Sequence, residues 1–82
     1  MARYFMHLRD GVDELLDAEG KDFANMEELR KWVMFTVRDL LAADIRNGLI
    51  DFRYRIDAED EAGAIVYTLA FKHALSIIPE PI

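Results

Sequence analysis

Few side chains in this sequence are equipped to make or break bonds. The 82 residues include two histidines, a single serine, two threonines and no cysteine. A nucleophile, base and orienting partner therefore have few possible members, and neither a disulfide nor a thiolate metal site is available. Ser76 stands three residues after His73, one turn apart if that end is helical, but it lacks a glycine-rich elbow and evident oxyanion donors. A solvated serine beside a surface histidine is the expected state. His7 lies in the middle of an alternating segment with no His-x-x-x-His or Glu-x-x-His companion. It is expected to exchange a hydrogen bond with a sheet neighbour. The acidic run Asp57 to Glu61 invites calcium, yet its sixth residue is Ala62 and its twelfth Thr68, where an EF-hand needs Gly and Glu. A solvated hairpin tip is the better account. The four glycines fall where turns and caps want them and form no phosphate-cradling loop. No catalytic residue, metal ligand or cofactor is assigned, and the chain is expected not to be an enzyme.

Binding surfaces offer more. Arg3 and Arg9 fall on one face of a first strand, and Arg53 and Arg55 on the corresponding face of a later one. If those strands are neighbours, four arginines and Phe5 share a sheet surface of the kind that binds single-stranded nucleic acid. Asp51 and Asp57 dilute that face, and the formal net charge of −6 opposes phosphate. Nucleic acid is the lesser alternative; a solvated face with cross-strand ion pairs is preferred.

The aromatic residues of the central helix are the stronger signal. With Leu29 at zero on a helical wheel, Trp32 falls near about 300° and Phe35 near about 240°. Phe35 is thus nearly opposite the stripe Leu29, Val33, Val37 and Leu40, where a surface helix should be polar. Met34 and Ile45 also stray to that side. Either the segment Leu75 to Ile78 folds over Phe35, or Trp32 and Phe35 line a partner or dimer interface. The interface is the reading adopted.

The elements that must carry these groups follow from periodicity. Residues 3–9 alternate as a half-buried strand, with Tyr4, Met6 and Leu8 on one face and Arg3, Phe5, His7 and Arg9 on the other. Asp10-Gly11 suits a hairpin turn, returning along Val12 to Asp17. Lys21 to Phe23 would extend or cover a sheet edge. Asn25, with Glu28 three residues on, resembles a capping box that opens a long helix, and Gly48 closes it. Leu49 to Asp57 reads as a strand with Ile50, Phe52, Tyr54 and Ile56 inward, followed by a polar loop over residues 58–63. Ala64 to Phe71 reads as the last strand, with Ile65, Tyr67, Leu69 and Phe71 inward. Lys72 to Ile78 would form a helical turn or short helix, which Pro79 and Pro81 stop. The expected fold is α+β, a two-layer β-β-α-β-β arrangement with an antiparallel sheet on one long helix. Residues 1–78 form a single domain and 79–82 a short tail.

Composition agrees with a small globular chain, 52% hydrophobic and 32% charged. A domain of this size has a marginal core, about 4–12 kcal/mol of stability by a per-residue scale, and oligomerisation is its most available reinforcement. No secretory apolar region and no run of the roughly 18 apolar residues a membrane span needs is present. The expectation is a cytoplasmic protein, a homodimer with a further protein partner, without a membrane association.

The opening Arg3-Tyr4-Phe5-Met6-His7-Leu8-Arg9-Asp10-Gly11 resembles the signature of a family of small bacterial proteins classed as a domain of unknown function, whose members begin Arg-Tyr-Phe-Phe-His-Leu-x-Asp-Gly. Asp17-Ala18-Glu19-Gly20, Asp39-Leu40-Leu41, Asp60-Glu61-Ala62-Gly63 and Leu69-Ala70-Phe71 also look alike. Met6 departs from it, where Phe is usual, as do Trp32 and Phe35, where smaller or polar residues are common. The resemblance implies no activity, cofactor or catalytic residue. A looser likeness, in the order of strand, Asp-Gly turn, strand and helix, is to antitoxins of bacterial toxin–antitoxin pairs; that likeness implies an antitoxin-like regulator as an alternative.

Overall fold

The structure is a computed structural model that describes residues 1–79. Five strands and one long helix follow in the order β1 (Ala2–Arg9), β2 (Glu14–Leu15), β3 (Lys21–Phe23), α1 (Met26–Arg46), β4 (Arg55–Asp60) and β5 (Ile65–Ala70). All pairings are antiparallel, and β1 and β4 form the centre. One side of β1 pairs with β4 from Tyr4 opposite Asp60 to Arg9 opposite Arg55. Its other side is shared by β2, opposite Leu8 and Arg9, and β3, opposite Ala2 to Tyr4. The expected α+β fold, an antiparallel sheet on one long helix, is what the chain adopts.

Asn25 caps α1 with extended backbone, its side chain accepting from the Glu28 amide at 2.9 Å. The helix runs to Arg46, and Gly48 follows at φ 80°, donating its amide to the Ile45 carbonyl. Leu29, Val33, Val37 and Leu41 recur every four residues, and all four are buried at 1% exposure or less. Burying each contributes about 2 kcal/mol. They rest on the sheet face that carries Tyr4, Met6, Leu8, Ile56, Ala58 and Leu69, with Phe23 and Phe71 closing the ends.

Three sequence expectations are corrected. The return strand is two residues long instead of spanning Val12 to Asp17. Asp17 ends it by turning its carboxylate back to β1: one oxygen accepts from Met6 N, the other from the amides of Glu19 and Gly20. Asp17 thus fills the gap between β2 and β3, where a backbone ladder would otherwise continue. The strand expected over Leu49 to Asp57 begins only at Arg55. Asp51 accepts from both the amide and the guanidinium of Arg53 and folds the chain into a turn. Phe52 and Tyr54 still pack on the core, but from a connection; Tyr54 lies 5.9 Å from the Phe71 ring. In turn Ala58 to Asp60, expected in a loop, belong to β4.

The third correction concerns β5. Glu59 pairs with Ile65 but Ala58 with Tyr67, so Val66 is an extra residue in the strand. Tyr67 and Leu69 face the helix as expected. The bulge turns Ile65 to the opposite side, where it is 47% exposed. Of the helical turn or short helix expected over Lys72 to Ile78, the chain forms the turn, a single 3-10 turn at Phe71–His73. Of the expected tail 79–82, all but Pro79 lies outside the described residues.

Candidate functional site

The sheet face away from α1 carries the arginines. Arg9 and Arg55 stand opposite one another in register, two like charges held apart by a carboxylate. Asp57, 5% exposed, accepts from Arg9 at 2.8 Å, from Arg55 at 3.1 Å and from the Thr68 hydroxyl at 2.8 Å. Burial works to raise its pKa, but the bonds from Arg9, Thr68 and Arg55 outweigh that and hold it below the usual carboxylate value. Arg9 also binds Glu14 at 2.9 Å. Arg3 lies near the far end of β1, bonded to Asp22 and to the Glu19 carbonyl. Arg53 is not on a strand at all; its guanidinium grips Asp51, whose pKa falls to about 2 beside it.

The four arginines therefore do not form one open cationic stripe. Each is matched to a carboxylate, and Phe5 leans over Gly20 at the sheet margin. Arg3 and Arg9 make the expected cross-strand ion pairs, Arg53 and Arg55 pair within their own segments, and Asp57 is a buried hub that alternation could not disclose.

His7 is 7% exposed beside this hub. Its Nδ1 accepts from the Asp17 amide at 3.1 Å, which leaves Nε2 to donate to Glu59 at 3.1 Å. The expected exchange of a hydrogen bond with a sheet neighbour is present, through Glu59 on β4. Asp17 itself is pushed up by burial, yet the amides of Gly20, Met6 and Glu19 bring its pKa below normal. His73 and Ser76 are exposed, and the helical spacing that would join them is absent because the 3-10 turn ends at His73. Among the described residues no group of three or more His, Asp or Glu side chains is placed to hold a metal.

The apolar surface lies on the other layer. Phe35 is 72% exposed on the outer side of α1, so Leu75 to Ile78 do not cover it. Leu75 packs on the core instead, and the Ala74 carbonyl accepts from Arg38 at 2.8 Å. Trp32 is half-buried, edge-on to Phe23 at 5.9 Å, and forms a ridge between two grooves. One holds Phe23 and Phe35. The other, about 430 Å³, runs between α1 and the hairpin of β1 and β2; Leu15, Leu16, Trp32, Thr36 and Leu40 line it over a floor of Met6 and Leu8. Leu15 and Leu16 are 70% and 56% exposed. Neither leucine is among the site residues expected from the sequence, although adjacent leucines on an alternating strand cannot both point inward.

The family model described as Domain of unknown function (DUF6894) matches residues 3–72, and the chain belongs to that family. No curated protein and no solved structure matches it. No helix among the described residues is long and apolar enough to cross a membrane.

Proposed function

We propose that this chain is a cytoplasmic, non-enzymatic protein-interaction module, regulatory in effect, that engages a protein partner or a second copy through Trp32 and Phe35. The observation that carries it is the exposure of Phe35 beside the half-buried Trp32. Leaving a phenylalanine in water forgoes about 2 kcal/mol, and exposed aromatic anchors bordered by grooves are where interfaces concentrate their energy. The net charge of −6 would speed encounter with a basic partner. The pairing of Arg3, Arg9, Arg53 and Arg55 with carboxylates favours this over a nucleic-acid face.

A photo-reactive phenylalanine analogue at position 35 is expected to cross-link in cells of the source organism to one defined protein or to a second copy. Sedimentation of the complex should then show it dissociated by Phe35→Asp. A chain that cross-links to nothing and sediments as a monomer would sink the reading.

A further inference from the structure

We propose that His7 is a proton-sensitive latch: a second proton on its ring releases the Asp17 backbone from β1 and loosens the hairpin wall that carries Leu15 and Leu16. The latch lies in the connection between β2 and β3, needs no partner, and stands apart from the interaction reading.

The hydrogen bonds admit one protonation state of the ring. Nδ1 accepts from the Asp17 amide at 3.1 Å and so carries no proton; Nε2, 3.1 Å from Glu59, carries it. An imidazolium has a proton on each nitrogen and accepts nothing. A proton added at Nδ1 would point at the Asp17 N–H, donor against donor. Turning the ring over offers no escape, because both nitrogens then donate. One side has to move, and the two sides are not held equally. His7 is mid-strand, 7% exposed and opposite Asp57 in the ladder of β1 and β4. Asp17 belongs to a connection.

The surrounding charges can receive the added proton. From β4 the ring faces Glu59 and, opposite in register, Asp57, which Arg9, Arg55 and Thr68 already occupy. From the connection it faces Asp17, whose carboxylate feels charge on the ring. On its own strand Arg9 is taken up by Asp57 and Glu14. Glu59 gains an imidazolium partner as the Asp17 amide loses its acceptor. The two changes oppose one another, so the chain stays folded and the opening is local.

The released segment is lightly held. β2 meets β1 only at Leu8 with Leu15 and Arg9 with Glu14. Beyond that, the connection is tied down by the Asp17 carboxylate on Met6 N and by Arg3 on the Glu19 carbonyl. Asp17 follows directly on Leu16 and lines the same groove as Leu15, Leu16 and Trp32, so its release reaches that apolar surface.

The test is nuclear magnetic resonance on the whole chain carrying His73→Gln, an exposed change that leaves His7 as the one histidine. The range runs from about pH 8 to about pH 5.5, above that of aspartate. Across it the His7 ring signals and the Asp17 amide should shift in a single transition, while the Val33 amide in α1 stays in place. Protection of the Asp17 amide from hydrogen exchange, corrected for intrinsic rate, should fall about fivefold or more. His7→Asn sets an oxygen acceptor near the place of Nδ1 and takes no proton there; in it the Asp17 amide should not respond to pH. A ring that gains its proton while the Asp17 amide keeps its protection would overturn the proposal. So would a ring that gains none before the chain unfolds in acid, or an amide that shifts equally in His7→Asn. The titration of the ring and the amide needs no substitution at position 7, so it decides the matter even if His7→Asn fails to fold.

Discussion

At position 20 a single methyl group meets two obstacles. A Cβ there would lie 2.9 Å from both the Phe5 ring and the Tyr4 carbonyl, on a backbone at φ +74°. Neither neighbour is a loose chain end: one is backbone and the other a ring held at the margin of the central strand. Gly20→Ala should therefore lower stability by about 2 kcal/mol, read as a reduced denaturant midpoint with an unchanged slope. An unchanged midpoint would mean that the margin yields easily. Sequence alone marked Gly20 as a turn and His7 as a sheet residue with one partner. It could not mark Asp17 as the group that completes the outer edge of β1, because that role depends on two short strands leaving a gap between them. Asp57 was hidden for a related reason: alternation assigns it a face but says nothing of the two arginines and the threonine that bury it.

Among the elements, α1 was the most legible. Asn25, Glu28, the apolar stripe from Leu29 to Val37 and Gly48 all act locally, so spacing was enough to bound it within two residues, although the stripe ends on buried Leu41 and not on Leu40, which is 38% exposed. Replacing Asn25 by Ala removes the acceptor for the Glu28 amide, and a loss of about 1 kcal/mol is expected in thermal or chemical unfolding. No measurable loss would show that the cap is redundant with the packing of Met26 and Leu29. The strands were less legible, since their limits are set by side chains that compete with the ladder. Asp51 diverts residues 51–53 into a turn although Ile50, Phe52, Tyr54 and Ile56 alternate as a strand would. A second lesson comes from β5, where one extra residue reverses the face of Ile65. The apolar set Ile65, Tyr67, Leu69 and Phe71 keeps a period of two past Val66, so the bulge could be seen only in the pairing with β4.

Taken whole, the molecule is elongated, with extents of 41 × 26 × 21 Å and a radius of gyration of 13.5 Å, against about 12 Å for a compact chain of this length. Its core is correspondingly thin, and its carboxylates do much to hold the loops. Asp10, Asp17, Asp51 and Asp57 all have pKa values below normal in the folded chain. A depressed folded pKa contributes stability that is present above the unfolded value, about 3.9 for aspartate, and lost as pH falls through the folded one. Unfolding free energy should therefore be flat near neutrality and fall steeply below about pH 4, with Asp57→Asn less sensitive to acid than the parent chain. A parent and variant with the same acid profile would remove Asp57 from that account.

The extra residue in β5 bears on how such molecules behave when crowded. Unpaired strand margins invite cross-β growth, and this sheet has two of them. One is broken into strands of two and three residues that carry Glu14, Lys21 and Asp22; the other is bent near its start at Val66. With both margins spoiled as templates, stacking of copies into fibrils is discouraged even at high concentration.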